Sequence, residues 1–171
     1  MREDGILDLE SRRRVYEAVR ANPGIHAREV VRRAGIPAGT VKYHLAYLSR
    51  HGLIKEEKDG NLARFFPSGF GAERQLMGLL RQHTIRKIML ALMAGDKLTH
   101  ERIVGAVGLS PSTVSWHLRK LEGAGVVGAE KSGRSTLYRI IADKEMIIRL
   151  LITYRESFLD SLVEHVIEMW E

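Results

Sequence analysis

Residues 39–54 read GTVKYHLAYLSRHGLI, and residues 112–127 read STVSWHLRKLEGAGVV. Both contain Thr-Val, a residue, an aromatic, His-Leu, two residues and Leu, and both close on Gly and an apolar pair. A fixed offset of 73 positions relates them. Extended outward without a gap, the offset aligns 12–67 with 85–140 and gives fourteen identities in 56 positions. Apolar class is also kept at Val15/Ile88, Val19/Leu92, Val30/Ile103 and Ile36/Leu109. The chain therefore carries one unit of about 56 residues in duplicate.

Each copy parses alike. RRRVYEAVRAN and IRKIMLALMAG place apolar residues at helical spacing. They stop at Asn22-Pro23-Gly24 and Gly95-Asp96. A second helix, HAREVVRRAG or THERIVGAVG, ends at Gly35 or Gly108, where a left-handed residue is expected. Thr99 is an N-cap candidate for the second copy's helix. The third helix of the second copy starts Ser110-Pro111, a cap followed by Pro at the first helical position. The first copy has Pro37 at the cap, so no side-chain cap is expected there. In each third helix one apolar stripe, Val41-Leu45-Leu48 or Val114-Leu118-Leu121, faces a core. A hairpin follows, turning at Asp59-Gly60 or Ser132-Gly133.

Three helices and a hairpin, carried by GIPAGTVKYHLAYLSRHGLI and GLSPSTVSWHLRKLEGAGVV, resemble the tandem winged helix-turn-helix transcription regulators of archaea and bacteria, in the ArsR-like and MarR-like superfamily. The expected fold is mainly α with small β-hairpin wings. The expected boundaries are 1–67 for the first domain, 68–84 for a helical linker and 85–140 for the second. Residues 141–171 are expected to form one long amphipathic helix. The linker helix is expected over Ala72–Gln82.

Charge fits this reading. The net charge is +6, but the copies carry +7 and +5, while residues 1–11 carry −3 and 141–171 carry −4. Basic blocks between acidic ends suit a polyanion. The third helices leave a non-acidic face free. It holds Gly39, Thr40, Lys42, Tyr43, Tyr47 and Arg50 in the first copy, and Ser112, Thr113, Ser115, Trp116, Arg119 and Lys120 in the second. The resemblance implies that these faces enter the major groove of double-stranded DNA, where Arg, Lys, Ser and Thr donate to bases or phosphates. Tyr43 and Trp116 share a slot and either touch DNA or pack against the protein. Arg28, Arg32 and Arg33 suit backbone contacts. Lys55, Lys58, Arg64, Lys131, Arg134 and Arg139 suit wing contacts, with Arg134 the best placed and the first wing weakened by Asp59.

The C-terminal segment has Ile147, Leu151, Tyr154, Phe158, Leu162 and Val166 at spacings of three and four. The resemblance implies homodimerisation through such a helix; folding back over the second copy is the alternative. Zero Cys removes thiolate metal ligands and Cys nucleophiles. His44 and His117 flank the apolar stripe, where a bond to a neighbouring helix or a phosphate outweighs metal binding. No cofactor or metal is expected, and no enzyme: the chain has no phosphate-binding Gly loop, metal cluster or triad. No signal peptide or membrane span is visible, so a cytoplasmic, nucleoid location is expected. The expected function is a DNA-binding transcription regulator, with an architectural nucleoid protein as the alternative. A small-molecule effector is left open.

Overall fold

A computed structural model describes residues 3–159. Contacts divide the chain into two units, Met1–Gly78 and Leu79–Glu171. In the first, α1 (Glu3–Ile6) precedes α2 (Glu10–Ala21), β1 (Ile25–His26), α3 (Ala27–Ala34), α4 (Ala38–Arg50), β2 (Ile54–Asp59) and β3 (Leu62–Pro67). Then α5 (Arg74–Leu80) runs across the boundary between the units. The second unit holds α6 (His83–Gly95), β4 (Leu98–Thr99), α7 (His100–Val107), α8 (Pro111–Gly123), β5 (Val127–Ser132), β6 (Ser135–Ile140) and α9 (Lys144–Thr153). From α2 to β3, each element reappears 73 residues later, with bounds agreeing to within one residue.

Strand pairing obeys the same offset. The sheets run β1-β3-β2 and β4-β6-β5, all antiparallel. Ile25 faces Phe65 as Leu98 faces Tyr138, and Asp59 faces Leu62 as Ser132 faces Ser135. Each wing thus closes on a two-residue loop. The short strands β1 and β4 were not legible in sequence. Two residues are too few to show alternation, and they join the sheet only through the distant third strand.

The predicted core stripes are buried. Val41, Leu45 and Leu48 lie against Val15, Val19 and Val30 in one cluster. Val114, Leu118 and Leu121 are equally inaccessible in the second unit, as are Ile88, Leu92 and Ile103. A fully buried aliphatic side chain contributes about 1.5–3 kcal/mol, so each stripe holds its third helix firmly.

Helix ends follow their residues. Ser110 Oγ accepts from Thr113 N at 3.2 Å, and Thr99 Oγ1 accepts from Arg102 N at 3.3 Å. Pro37 makes no side-chain cap. Gly35 and Gly108 are left-handed, with φ of 62° and 67°. The third helices end in a matched pair of Schellman motifs. Leu53 N donates to Leu48 O and Gly52 N to Ser49 O, as Val126 N does to Leu121 O and Gly125 N to Glu122 O. Their positive φ at Gly52 and Gly125 turns the chain into the wing.

Two expectations need correction. The linker helix is shorter than 72–82, because Gln82 is extended and caps α6 instead. The long C-terminal helix is broken: α9 stops at Thr153, Tyr154 caps it, and a separate helical turn occupies 155–159. That turn is drawn onto the second unit. Arg81 Nη1 donates to Ser157 Oγ, and the Arg86 guanidinium lies 4.8 Å from the Phe158 ring centroid. Burial, then the neighbouring Arg81, lower Arg86 to a pKa of about 10. Leu162 and Val166 lie outside the described residues.

Candidate nucleic-acid interface

The exposed face of α4 is set by its buried stripe. With Val41, Leu45 and Leu48 inward, Gly39, Thr40, Lys42, Tyr43 and Arg50 are left in solvent. Tyr43 is 59% exposed. Tyr47 is half-buried, with the Arg12 guanidinium from α2 3.8 Å from its ring centroid and the His51 ring centroid 4.2 Å away. It therefore belongs as much to the α2–α4 contact as to the outer face. On α8, Ser112, Trp116 and Arg119 are exposed, while Thr113, Ser115 and Lys120 are half-buried. Trp116 is 54% exposed, stands edge-on to His117 and has Lys120 Nζ 5.5 Å from its ring. Neither aromatic packs into its unit's core.

His44 is buried and shares a 2.9 Å hydrogen bond with Ser11 Oγ on α2. Burial, then the Arg12 charge, holds its pKa below the usual imidazole value. His117 is lowered by burial, then by Lys120. The neighbouring-helix reading therefore holds for His44. Among the described residues, no three His, Asp or Glu side chains gather as a metal site would require.

The wings differ. Lys55 and Lys58 are exposed on β2; Lys131, Arg134 and Arg139 are exposed on β5, its loop and β6. Arg64 is the correction. It is buried, donating from Nε to Asp59 Oδ2 at 2.7 Å and from Nη1 to Gly24 O at 2.8 Å. It is buried along with its β3 neighbours Phe65 and Phe66, and it braces the wing to the α2–β1 turn. Asp59, expected to repel a polyanion, is itself neutralised by this pair. His26 lies beside it, Nε2 3.9 Å from Asp59 Oδ2, with its pKa lowered chiefly by burial and then by Arg64.

On α3, Arg28 and Arg32 are exposed. Arg33 is half-buried and donates to Glu29 Oε1 at 3.0 Å, an i,i+4 pair within the helix. The apolar row at the C-terminus also sorts differently from expectation. Ile147 and Phe158 are buried within the chain, and Leu151 and Tyr154 are half-buried. Among the described residues there, the large apolar side chains left exposed on and beyond α9 are Ile148, Ile152 and Leu159.

Two side chains were missed. Arg12 stacks on Tyr47, as above. His100, the first residue of α7, bonds Ser115 Oγ on α8 at 2.8 Å through Nε2. Aligning the copies offers a signal for it: His100 stands opposite Ala27, and Ser115 opposite Lys42, so both members of the pair change together.

A helix-turn-helix followed by a strand pair, twice over, agrees with comparison to known families. A model described as an N-terminal HTH domain matches residues 9–77. A second, described as winged helix-turn-helix DNA-binding, matches 81–127. Each of the two units thus carries a helix-turn-helix that a family model matches. An HTH-type transcriptional regulator of Methanocaldococcus jannaschii is 29% identical over 138 residues, which cover 81% of this chain and 35% of that protein. The HTH-type transcriptional repressor SmtB of Mycobacterium tuberculosis is 43% identical over 53 residues, 31% of this chain and 38% of its own. The chain thus spans little more than a third of these curated relatives. The homodimeric winged helix-turn-helix domain of Mb0332 from Mycobacterium bovis, a possible ArsR-family regulator, superposes with a TM-score of 0.40 at 24% identity. That superposition covers 57% of this chain and 94% of that fragment. Among the described residues, no helix is long and apolar enough to cross a membrane.

Proposed function

We propose that the chain is a double-stranded-DNA-binding transcription regulator, with α4 and α8 entering major grooves and the two wings following the backbone or minor groove. One observation carries this reading most. Both third helices hold their apolar stripe in the core and leave outward a face with no Asp or Glu among Gly39, Thr40, Lys42, Tyr43 and Arg50, or among Ser112, Ser115, Trp116, Arg119 and Lys120. A polyanionic groove needs such a face, and a protein partner does not. The exposed Arg28 and Arg32 suit phosphates, which position the helix without reading sequence. Arg33 and Arg64 are assigned structural work instead.

The two copies present different chemistry, so each chain is expected to recognise an asymmetric site. Ile148 and Ile152, 42% and 64% exposed and one turn apart on α9, offer an apolar row to a second copy of the chain. Such a homodimer supports the same function with two further helix-turn-helix units.

The test is selection of bound duplexes from a random pool at a stated salt concentration. A compact enriched motif is the expected result. Flat enrichment with high affinity assigns the chain to architectural, nucleoid-type binding. Absence of binding at moderate salt overturns both. For the dimer, Ile152→Asp is expected to convert a sedimenting dimer to monomer with the fold kept; a wild-type chain that sediments as a monomer removes that part of the reading.

A further inference from the structure

We propose that Ser115 reads one base position in the major groove as a hydrogen-bond donor, and that His100 is the residue that positions it. The inference rests on the DNA-binding reading above and deepens it at one site.

Ser115 lies one turn into α8, between exposed Ser112 and exposed Arg119 on the outward face. A serine hydroxyl has one O–H donor and two acceptor lone pairs, and its rotor turns to suit any partner. Alone on a helix, it discriminates weakly between a base acceptor and a base amino group. Here it is not alone. His100 Nε2 is 2.8 Å from Ser115 Oγ, brought there by the Thr99 cap that starts α7. In two of the three forms of imidazole, the imidazolium and the neutral Nε2–H tautomer, Nε2 is a donor. It then occupies a lone pair of Oγ and leaves the O–H aimed away from α7. The groove atoms that accept such a donor are guanine O6 and N7, adenine N7 and thymine O4. One of the two acceptor lone pairs of Oγ is spent on His100, so acceptance from the cytosine and adenine amino groups is weakened relative to donation.

The same turn gathers a second donor. Arg119 Nε lies 3.4 Å from Ser115 O, so its guanidinium rides over Ser115 along the helix. The first unit is built differently at each of these places. Lys42 replaces Ser115 and Ala27 replaces His100. A lysine has three donors on a long stem and needs no rotor lock; a short hydroxyl does. The histidine occurs in the unit that has the serine, which is what a positioning role requires.

The experiment is sequence selection from a random duplex pool with wild type, Ser115→Ala, His100→Ala, His100→Gln and Ser115→Ala/His100→Ala, each checked for an unchanged melting temperature. Ser115→Ala is expected to relax preference at one base position by about fivefold, the net weight of one neutral hydrogen bond. His100→Ala is expected to relax the same position. The double variant should lose no more than Ser115→Ala alone. His100→Gln, whose amide still donates, should restore most of the preference. Salt dependence should be unchanged throughout, since no phosphate contact is removed. Three results overturn the proposal: no position altered by Ser115→Ala; a His100→Ala loss spread over all sequences with a shallower salt slope, which makes His100 a phosphate contact; or no rescue by Gln. A wild type that binds no duplex at all instead defeats the DNA-binding reading.

Discussion

At His44 the recognition-helix motif meets the core of its own domain. The side chain sits 2% exposed between α4 and α2, bonded to Ser11, with Arg12 nearby. Both burial and that charge disfavour the imidazolium, so the folded pKa lies below the ordinary 6.5. The unfolded chain then binds the extra proton more readily. Stability is therefore full above the ordinary imidazole value and falls as pH drops through the lowered folded one. His26 and His117 shift the same way and add to the slope. Thermal melts at pH 8 and pH 5 should show the loss, and His44→Gln, which keeps a partner for Ser11 but cannot titrate, should shrink it. An equal pH difference in the variant would clear His44 of the effect. Arg64 makes the complementary case, a basic wing residue whose work is internal. Arg64→Ala removes one donor from Asp59 and one from Gly24 O and should cost about 2–3 kcal/mol of stability by urea denaturation. It should leave the salt slope of DNA binding intact. A shallower slope with unchanged stability would return Arg64 to the DNA face.

Among the elements, α7 isolates what a glycine does from where it lies. Gly105 is inside the helix and Gly108 just past its end at φ 67°, and a Cβ at either position meets no atom within 4 Å. Space is equal, so only backbone conformation differs. Gly105→Ala should stabilise by about 0.5–1 kcal/mol through helix propensity and a less flexible unfolded chain. Gly108→Ala should destabilise by about 1 kcal/mol, the left-handed cost of an L-residue. Chemical denaturation of the two variants checks the pair, and a shared sign would refute the assignment of Gly108 as the helix terminator. That terminator was legible beforehand, as were Ser110, Thr99 and the core stripes, because caps, left-handed glycines and helical periodicity are local. What escaped was non-local. Strands β1 and β4 exist only by pairing with residues 40 positions on. The burial of Arg64 depends on a carbonyl at Gly24. The break at Tyr154 interrupts a periodic row that runs straight through it in sequence. Periodicity registers a face and not its partner, so Ile147 and Phe158 looked available to a second chain although their own unit covers them. The candidate interface was legible as a face in the same way, while the tie of Ser115 to His100 waited for three-dimensional contact.

For the whole molecule, duplication sets the terms on which two candidate recognition surfaces share one chain. Core positions are interchangeable between copies, as Val41/Val114, Leu45/Leu118 and Leu48/Leu121 are. Outward positions are not: Lys42, Tyr43 and Tyr47 stand against Ser115, Trp116 and Lys120. The second helices diverge too, since Arg32 and Arg33 stand against Gly105 and Ala106. On the proposed DNA-binding function, retaining a scaffold while changing its outward face would separate base choice from backbone affinity. The consequence is measurable with three variants of the intact chain. Lys42→Ala/Tyr43→Ala should flatten one part of the selected motif and leave the rest. Trp116→Ala/Arg119→Ala should flatten a different part. Arg28→Ala/Arg32→Ala should flatten neither, but should weaken binding to every sequence and reduce the salt slope by about 2, close to one per phosphate contact. Each pair is exposed, and melting temperatures measured beside binding separate lost contacts from lost stability. If both third-helix variants flatten the same positions, the copies read equivalent sequence and the asymmetric site is wrong. If the α3 variant changes the motif and not the slope, the arginines read bases, and the division between positioning and reading fails.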